Sequence, residues 1–432
     1  MKFLKKIKIM IHRFAGRYIN WRYCRNAGRN EKEGLKLGLI CEEFFHERLR
    51  GFGGFGVTLK YITDHFNPNG NTLKAMVCLS TPMDVPRPVV ERHHNADVLL
   101  RPAAKGSYIR NFLRYGCLLS RQDVNAFLTI EYYPSYEYFL EHVTGIPWLL
   151  WIKDPRDEEK WEKILTVDLE RKATLKEDSE RRQRIVRDRA ESLRRMLEVS
   201  RKRERRVYVA AETPDFIPIA ERLYGVSFPV FSKLPKPMPL RIQGEVPFSG
   251  QPSFLFLGRL DPVKRPWVYF ELAKRMPEYI FYVAGETHYP EVMGPVIDRY
   301  RDVPNLIFLG KVFGEEKDRI LKRVWGLINT SVHEGIPCSF VESYSYGKPV
   351  IAAVNVDGLT ERFGAYTGEI LGNADDENSL KRFQETVRKL LSNKEELTAK
   401  SRAAREYVAK THSFEVYERN VQKILSSDAN LI

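Results

Sequence analysis

Two glutamates, Glu334 and Glu342, stand in an E-x7-E spacing within HEGIPCSFVESYSYGKPVIA, residues 333–352. Glu334 follows GLINTSV, an apolar run that predicts a buried strand, with one residue between them. The residues from Gly335 to Cys338 predict a turn whose unpaired N–H groups open the next helix. Because such a helix start attracts phosphate through its amides and its dipole, the segment predicts an anion site flanked by carboxylates.

Two cations follow another predicted strand. Arg259 comes directly after SFLFLG, whose Gly258 lets the backbone turn, and Lys264 lies five residues later in GRLDPVKRP. Arginine offers a bidentate fork to phosphate oxygens and lysine a compact point charge, so the pair suits a diphosphate. Basic residues in such loops are often only surface residues, and the sequence alone leaves both interpretations open.

The glutamates also have plain structural interpretations. Ser339 and Glu342 match a capping box, in which the glutamate satisfies an N–H group at the start of the helix. Glu334 fits an ordinary surface carboxylate in a loop. Taken alone, the segment favours these interpretations modestly.

The elements that position these residues alternate between strands and helices. Predicted strands include KLGLICEEF, AFLTIEYY, IPWLLWI and VYVAAETP in the first half, and SFLFLGRL, YIFYVAGE, NLIFLG, GLINTSV and PVIAAV in the second. This alternation indicates parallel sheets covered by helices, whose ligands collect at the carboxyl ends of the strands. A chain of 432 residues also favours two domains.

The predicted domains follow from shifts in composition along the chain. A basic segment, 1–30, precedes an N-terminal Rossmann-like domain, 31–235, that carries a charged helical insertion, 155–206. A linker rich in proline and glycine, 236–252, leads to a C-terminal domain, 253–412, and a terminal helix, 413–427. Acidic residues are interleaved through the insertion, which favours a solvated helix over a nucleic-acid site.

The net charge of +14, from 70 Lys and Arg against 56 Asp and Glu, favours an anionic partner. Residues 1–30 contain no acidic residue, and their aromatic and aliphatic residues recur at helical spacing. Such a helix suits an anionic membrane surface, although docking on its own domain is an equal alternative. The five scattered cysteines favour neither disulfides nor structural zinc, and no signal peptide is predicted, so we expect a cytoplasmic protein, peripheral at the membrane if the helix binds there.

The order of these motifs resembles the family 4 retaining glycosyltransferases. GRLDPVK (258–264), VAGE (283–286), NLIFLGKV (305–312), EGIPCSFVESYSYGKPVIA (334–352) and NVDGLTE (355–361) all match in sequence, and GFGGFGVTLKYI matches more loosely. The resemblance implies the GT-B fold, in which two doubly wound Rossmann-like domains face a cleft. It also implies that a sugar moves from a nucleotide-diphosphate donor to an acceptor hydroxyl.

The resemblance assigns roles residue by residue. Arg259 and Lys264 would hold the donor diphosphate, Glu342 the ribose hydroxyls and Glu334 the transferred sugar. The remaining donor-side positions would bring backbone close to the donor; they are Gly258, Ile336, Pro337, Cys338, Ser339, Gly53 and Gly54. Members usually need no divalent metal, and no DxD motif occurs here, so we expect neither metal nor cofactor.

One position departs from the family pattern. A histidine often ends the strand that corresponds to IPWLLWI, and Lys153, followed by Asp154, stands there in this chain. The pair is a candidate for the sugar or acceptor side. A glycan or lipid-linked precursor in cell-surface polysaccharide synthesis is the predicted acceptor. A nucleotide-sugar epimerase of the same fold and a non-catalytic binding protein, including one that binds RNA, are the alternatives.

Overall fold

The computed structural model describes residues 34–45, 53–68, 72–103, 108–143, 145–168, 172–241, 248–428 and 431. The basic segment 1–30, for which a membrane-surface helix was one prediction, lies outside these residues. None of the helices in the described ranges has the length and apolar character needed to cross a membrane.

The chain divides into two compact units. The first, unit 1, comprises Met1–Pro155, Arg184–Pro237 and Phe414–Ile432, and the second, unit 2, comprises Arg156–Gln183 and Met238–Ser413. Each unit is built on its own sheet. The predicted α/β class with two Rossmann-like parallel sheets is therefore confirmed.

Unit 1 contains an eight-stranded sheet among its described residues. Its strands are β1 (Leu35–Cys41), β2 (Leu73–Met83), β3 (Val89–His93), β4 (Ala96–Pro102), β5 (Ala126–Ile130), β6 (Trp148–Ile152), β7 (Val207–Ala211) and β8 (Ser232–Lys233). Their order is β3-β4-β2-β1-β5-β6-β7-β8, and only β3 runs antiparallel to its neighbour. Strands β5, β6 and β7 are continuous apolar runs buried at every residue, as expected for a sheet covered on both faces.

The helices of unit 1 are α1 (Gly54–Phe66), α2 (Tyr108–Arg121), α3 (Glu137–Leu140), most of α5 (Lys172–Lys202), α6 (Phe216–Tyr224) and α14 (Phe414–Leu425). The last of these follows unit 2 in the sequence and yet packs in the core of unit 1. Phe414 stacks on His65 with the ring centroids 3.7 Å apart, and Tyr417 lies 5.7 Å from Trp151.

Helix α5 differs from the predicted solvated insertion. In its C-terminal half Leu193 and Met196 are almost fully buried. Arg194 donates to the carbonyl of Tyr224, and the guanidinium of Arg189 lies 4.0 Å from the ring of Tyr133. The interleaved charges made the buried face of α5 hard to recognise in the sequence. Long arginine stems can cover apolar surface while their charged ends reach polar partners.

Unit 2 contains a six-stranded parallel sheet in the order β11-β10-β9-β12-β13-β14. Its strands are β9 (Ser253–Leu257), β10 (Ile280–Ala284), β11 (Leu306–Gly310), β12 (Gly326–Asn329), β13 (Val350–Ala352) and β14 (Ala365–Tyr366). Its helices are α4 (Glu158–Leu165), α7 (Pro266–Arg275), α8 (Pro290–Asp298), α9 (Gly314–Arg323), α10 (Cys338–Ser345), α11 (Leu359–Phe363), α12 (Glu377–Ser392) and α13 (Lys394–His412).

The strand order of unit 2 reverses at β9. From β9 the chain builds outward through β10 and β11, then returns to place β12 on the other side of β9. In open parallel sheets, ligands bind outside the carboxyl ends of the strands at such a switch point. The loops that follow β9 and β12 are the ones that carry the predicted cations and Glu334.

Candidate functional site

The carboxyl ends of β9 and β12 bring two predicted residues into direct contact. Lys264 Nζ lies 2.5 Å from Glu334 Oε1, although the two residues are 70 positions apart in the chain. The same carboxylate oxygen accepts from Ser331 Oγ at 2.6 Å and from Asn329 Nδ2 at 3.1 Å. The Glu334 side chain is 8% exposed and the Lys264 side chain 20% exposed, so the pair is neither fully buried nor loosely solvated.

The environment of Glu334 keeps its carboxylate ionised. Burial by itself raises the pKa of this group, but the Lys264 ammonium and the hydrogen bonds from Ser331 and Asn329 outweigh it. The pKa of Glu334 is therefore below its ordinary value. An ionised carboxylate accepts hydrogen bonds only, which suits it to ligand hydroxyl groups.

Arg265, the residue after Lys264, fixes this part of the site. Its fully buried guanidinium donates to the carbonyls of Thr330 at 2.6 Å and Ser331 at 3.0 Å, which follow β12. It also donates to the carbonyls of Ile370 at 2.8 Å and Gly372 at 3.0 Å. Arg265 thus ties the loop after β9 to the loop after β12, although by residue type and position it resembles an ordinary surface cation.

Arg259 occupies a more open position. Its side chain is 44% exposed, and Nη1 forms an ion pair with Asp261 Oδ2 at 3.0 Å. Among the residues that the structure describes, its Nε and Nη2 groups have no hydrogen-bond partner. The guanidinium is therefore anchored at one corner and retains N–H groups for a ligand.

Glu342 lies on α10, where the predicted capping box is wrong. The helix begins at Cys338 with Pro337 as its N-cap, and no side chain caps it. Ser339 is already inside the helix, too late to act as its cap. Glu342 instead forms an ion pair with Lys317 on α9, with Nζ 2.6 Å from Oε1.

The turn before α10 places the other predicted donor-side residues together. Ile336 is buried, whereas Pro337, Cys338 and Ser339 are partly exposed at the start of the helix. In the described part of the chain, the backbone N–H of Ser339 has no hydrogen-bond partner. A helix start of this composition can receive an anion.

The glycine-rich loop of unit 1 is held by a residue that the sequence did not single out. Glu43 accepts from the N–H of Gly53 through Oε2 and from the N–H of Gly56 through Oε1, both at 2.9 Å. A Cβ atom at Gly53 would stand 3.1 Å from Glu43 Oε2, so this position has little space for a side chain. Gly54 is the first residue of α1.

Lys153 and Asp154 follow β6 in unit 1. The Lys153 ammonium is buried, donates to Thr58 Oγ1 on α1 at 2.8 Å and lies 4.6 Å from the ring of Trp151. The backbone N–H groups of Lys153 and Asp154 both donate to Glu131 Oε1, at 2.7 and 2.8 Å. Because Lys153 reaches the first turns of α1, the two predicted regions of unit 1 adjoin.

The predicted residues therefore form two groups, one in each unit. Those of unit 2 surround the switch point, with the Lys264–Glu334 pair at its centre. Across the described ranges, the structure has no cluster of three or more His, Cys, Asp or Glu residues that would hold a metal ion.

Comparisons with known proteins bear on the family and the fold. Residues 241–407 match the model of the family described as glycosyl transferases group 1. No curated protein sequence matches the chain. The sucrose-phosphate synthase of Thermosynechococcus elongatus has a similar structure, with a TM-score of 0.63 and 13% identity over 90% of this chain and 98% of that one.

Two further solved structures share the fold. Anabaena HepE, solved in complex with UDP and glucose, has a TM-score of 0.62 and 11% identity over 91% of this chain and 99% of its own. WaaG, a glycosyltransferase involved in lipopolysaccharide biosynthesis, has a TM-score of 0.57 and 14% identity over 90% of this chain and 100% of its own. Residues 241–407 are thus similar to glycosyl transferases group 1, in a chain that has the GT-B fold.

Proposed function

We propose that this protein is a retaining glycosyltransferase that moves a sugar from a nucleotide-diphosphate donor to an acceptor hydroxyl. The observation that carries the proposal is the contact between Lys264 and Glu334 at the switch point of unit 2. A cation suited to phosphate and a carboxylate suited to sugar hydroxyls lie side by side, as the sugar–phosphate junction of such a donor requires.

In the proposed reaction, the acceptor oxygen bonds to the anomeric carbon and the bond from that carbon to the diphosphate oxygen breaks. The electron pair leaves on the diphosphate, which also receives the proton of the acceptor hydroxyl. Arg259 and Lys264 stabilise the negative charge that develops on the leaving group. Loss of one such contact typically lowers the rate by about 10²–10³.

Glu334 is assigned to the hydroxyls of the transferred sugar and Glu342 to those of the ribose. The start of α10, from Ile336 to Ser339, contributes backbone amides beside the phosphates. Release of Glu342 from Lys317 accompanies ribose binding in this scheme. Gly258 leaves open space at the start of the loop that carries Arg259 and Lys264, since a Cβ atom there would meet no atom within 4 Å.

In unit 1, we assign Lys153 and Asp154 to the sugar or acceptor side and Gly53 and Gly54 to the donor side. Lys153 takes the place of the histidine common in the family, and its ammonium can donate but not accept a hydrogen bond. We propose a glycan or lipid-linked precursor of a cell-surface polysaccharide as the acceptor. The basic segment 1–30 would hold the protein at the inner face of the membrane, which co-sedimentation with anionic vesicles tests.

The first experiment is a thermal-shift screen with UDP, GDP, ADP and dTDP sugars. The donor should stabilise the protein by about 2.7 kcal/mol at 100 times its Kd, and the other nucleotides much less. EDTA should not change turnover, because no divalent metal is part of the proposed mechanism. NMR of the product then gives the anomeric configuration, and inversion would contradict a retaining enzyme.

The second experiment replaces Glu334. Turnover in Glu334→Ala should fall to background, whereas Glu385→Gln, an exposed carboxylate on α12, should keep the wild-type rate. Undiminished turnover in Glu334→Ala would overturn the assignment. An epimerase would instead convert the donor sugar without any acceptor.

A further inference from the structure

The loop after β10 places an imidazole beside Arg259. His288 Nδ1 lies 3.3 Å from Arg259 Nη1 and 3.9 Å from Asp261 Oδ2. Its side chain is 47% exposed. Neither the sequence pattern nor the role assigned to Arg259 called for a histidine at this position.

The contact with Arg259 determines which nitrogen of His288 carries the proton. A guanidinium has only donor groups, so the ring nitrogen that faces it acts as an acceptor. The neutral imidazole therefore holds its proton on Nε2. Within the described part of the chain Nε2 has no hydrogen-bond partner, so His288 retains an N–H donor next to those of Arg259.

The backbone fixes this arrangement. The N–H of Gly258 donates to the carbonyl of Ala284, and the N–H of Leu260 donates to the carbonyl of Glu286, both at 3.0 Å. These bonds join the loops after β9 and β10. At Gly285, where φ is +152°, a Cβ atom would lie 1.8 Å from the Gly258 carbonyl oxygen, so only glycine permits this approach.

Asp261 helps to position both Arg259 and His288. It is 2% exposed, and its Oδ1 accepts from the backbone N–H of His288 at 3.0 Å, while its Oδ2 forms an ion pair with Arg259. One buried carboxylate thus positions the guanidinium and the residue that carries the imidazole. The Arg259 guanidinium and the His288 imidazole are therefore held close together by Asp261 and by the backbone.

We propose that His288 is a further binding residue for the diphosphate of the donor, acting through Nε2–H beside Arg259. This inference rests on the proposed function, since Arg259 must face the diphosphate for His288 to reach it. A phosphate oxygen accepts from both groups, and a hydrogen bond to a charged acceptor is stronger than one between neutral groups.

The test compares nucleoside diphosphates with their nucleosides by isothermal titration. UDP, GDP, ADP and dTDP are titrated into the full chain, and the one that binds most tightly is paired with its own nucleoside. His288→Ala should weaken binding of the diphosphate about tenfold or more and leave that of the nucleoside unchanged. His288→Gln, whose amide offers an N–H near the position of Nε2, should restore much of the affinity.

A control removes an exposed positive charge elsewhere in unit 2. Arg299 follows α8, is exposed and, within the described residues, donates only to the carbonyl of Pro295, at 3.3 Å. Arg299→Ala should bind the diphosphate like wild type. An equal loss in this variant would make the effect a general one of surface charge and overturn the proposal.

The outcomes also separate this inference from the proposed function. If wild type binds none of the four diphosphates, both fail. If wild type binds one and Arg259→Ala weakens it while His288→Ala does not, the inference fails alone. Unchanged melting temperatures of the ligand-free variants would show that each keeps its fold.

Discussion

Replacing Lys264 by methionine tests whether the contact with Glu334 holds the site together. The methionine keeps the apolar stem but removes the charge, and Glu334 is left largely buried without its cation. At 2.5 Å and an effective dielectric constant of about 20, the Coulomb attraction between the two groups is roughly 7 kcal/mol. Desolvation of both groups offsets much of this attraction.

The hydrogen bonds from Ser331 and Asn329 remain in Lys264→Met, so the Glu334 carboxylate keeps these two hydrogen-bond donors. We therefore expect a loss of about 3 kcal/mol, at the low end for a broken buried pair. For a folding unit of 150–250 residues this corresponds to a decrease of ~6–12 °C in melting temperature. Thermal unfolding followed by circular dichroism measures it.

Lys311 provides the matched control. It pairs with Glu286 at 2.7 Å in the same unit, but both side chains are more than half exposed. Exposed pairs contribute about 0–1 kcal/mol, so Lys311→Met should melt within ~2–4 °C of wild type. Equal losses in the two variants would refute the reasoning, because burial would then make no difference.

A double-mutant cycle and a pH series complete the test. The loss in free energy of unfolding in the double mutant should differ from the sum of the losses in Lys264→Met and Glu334→Gln by about 1–3 kcal/mol. Because the folded pKa of Glu334 is depressed, its stabilisation is fully present above the ordinary value of 4.5 and is lost as the pH falls through the folded pKa. The melting difference between wild type and Glu334→Gln should therefore stay constant from about pH 7 to pH 5 and shrink in stronger acid.

Further substitutions address the scaffold. Gly285→Ala should cost at least about 2 kcal/mol in a urea titration because its Cβ meets backbone, whereas Gly294→Ala, in open space within α8, should be neutral or stabilising. Arg265→Met should cost about 3 kcal/mol or more in the same titration, because four carbonyl groups lose their donor. Lys317→Met should lower the melting temperature by ~2–6 °C, since it removes the partner of the largely buried Glu342.

The sequence predicted the strands beside the candidate site better than the contacts between the residues of the site. Apolar runs identified β9 and β12, and the rule for parallel sheets placed Lys264 and Glu334 at the carboxyl ends of these strands. That β9 and β12 are neighbours follows from the strand order, which local patterns do not contain. The pairing of Lys264 with Glu334 therefore required the structure.

Other residues escaped prediction because their types are common on surfaces. Arg265 resembles any loop cation, and only its backbone conformation, with φ of +46°, turns it inward to the carbonyls. Ser339 and Glu342 matched a capping box, but the helix begins two residues too early for it. Strands β2, β3 and β4 are not among the predicted strands, and β3 is an edge strand with only partial burial.

The position of α14 has a consequence for synthesis of the protein. Phe414 and Tyr417 complete the core of unit 1, although the ribosome makes them after all of unit 2. Unit 1 therefore cannot complete its core before Phe414 and Tyr417 have been synthesised, and its apolar surface around His65 and Trp151 stays uncovered until then. A chain cut after residue 412 would leave that surface permanently open to aggregation or chaperones.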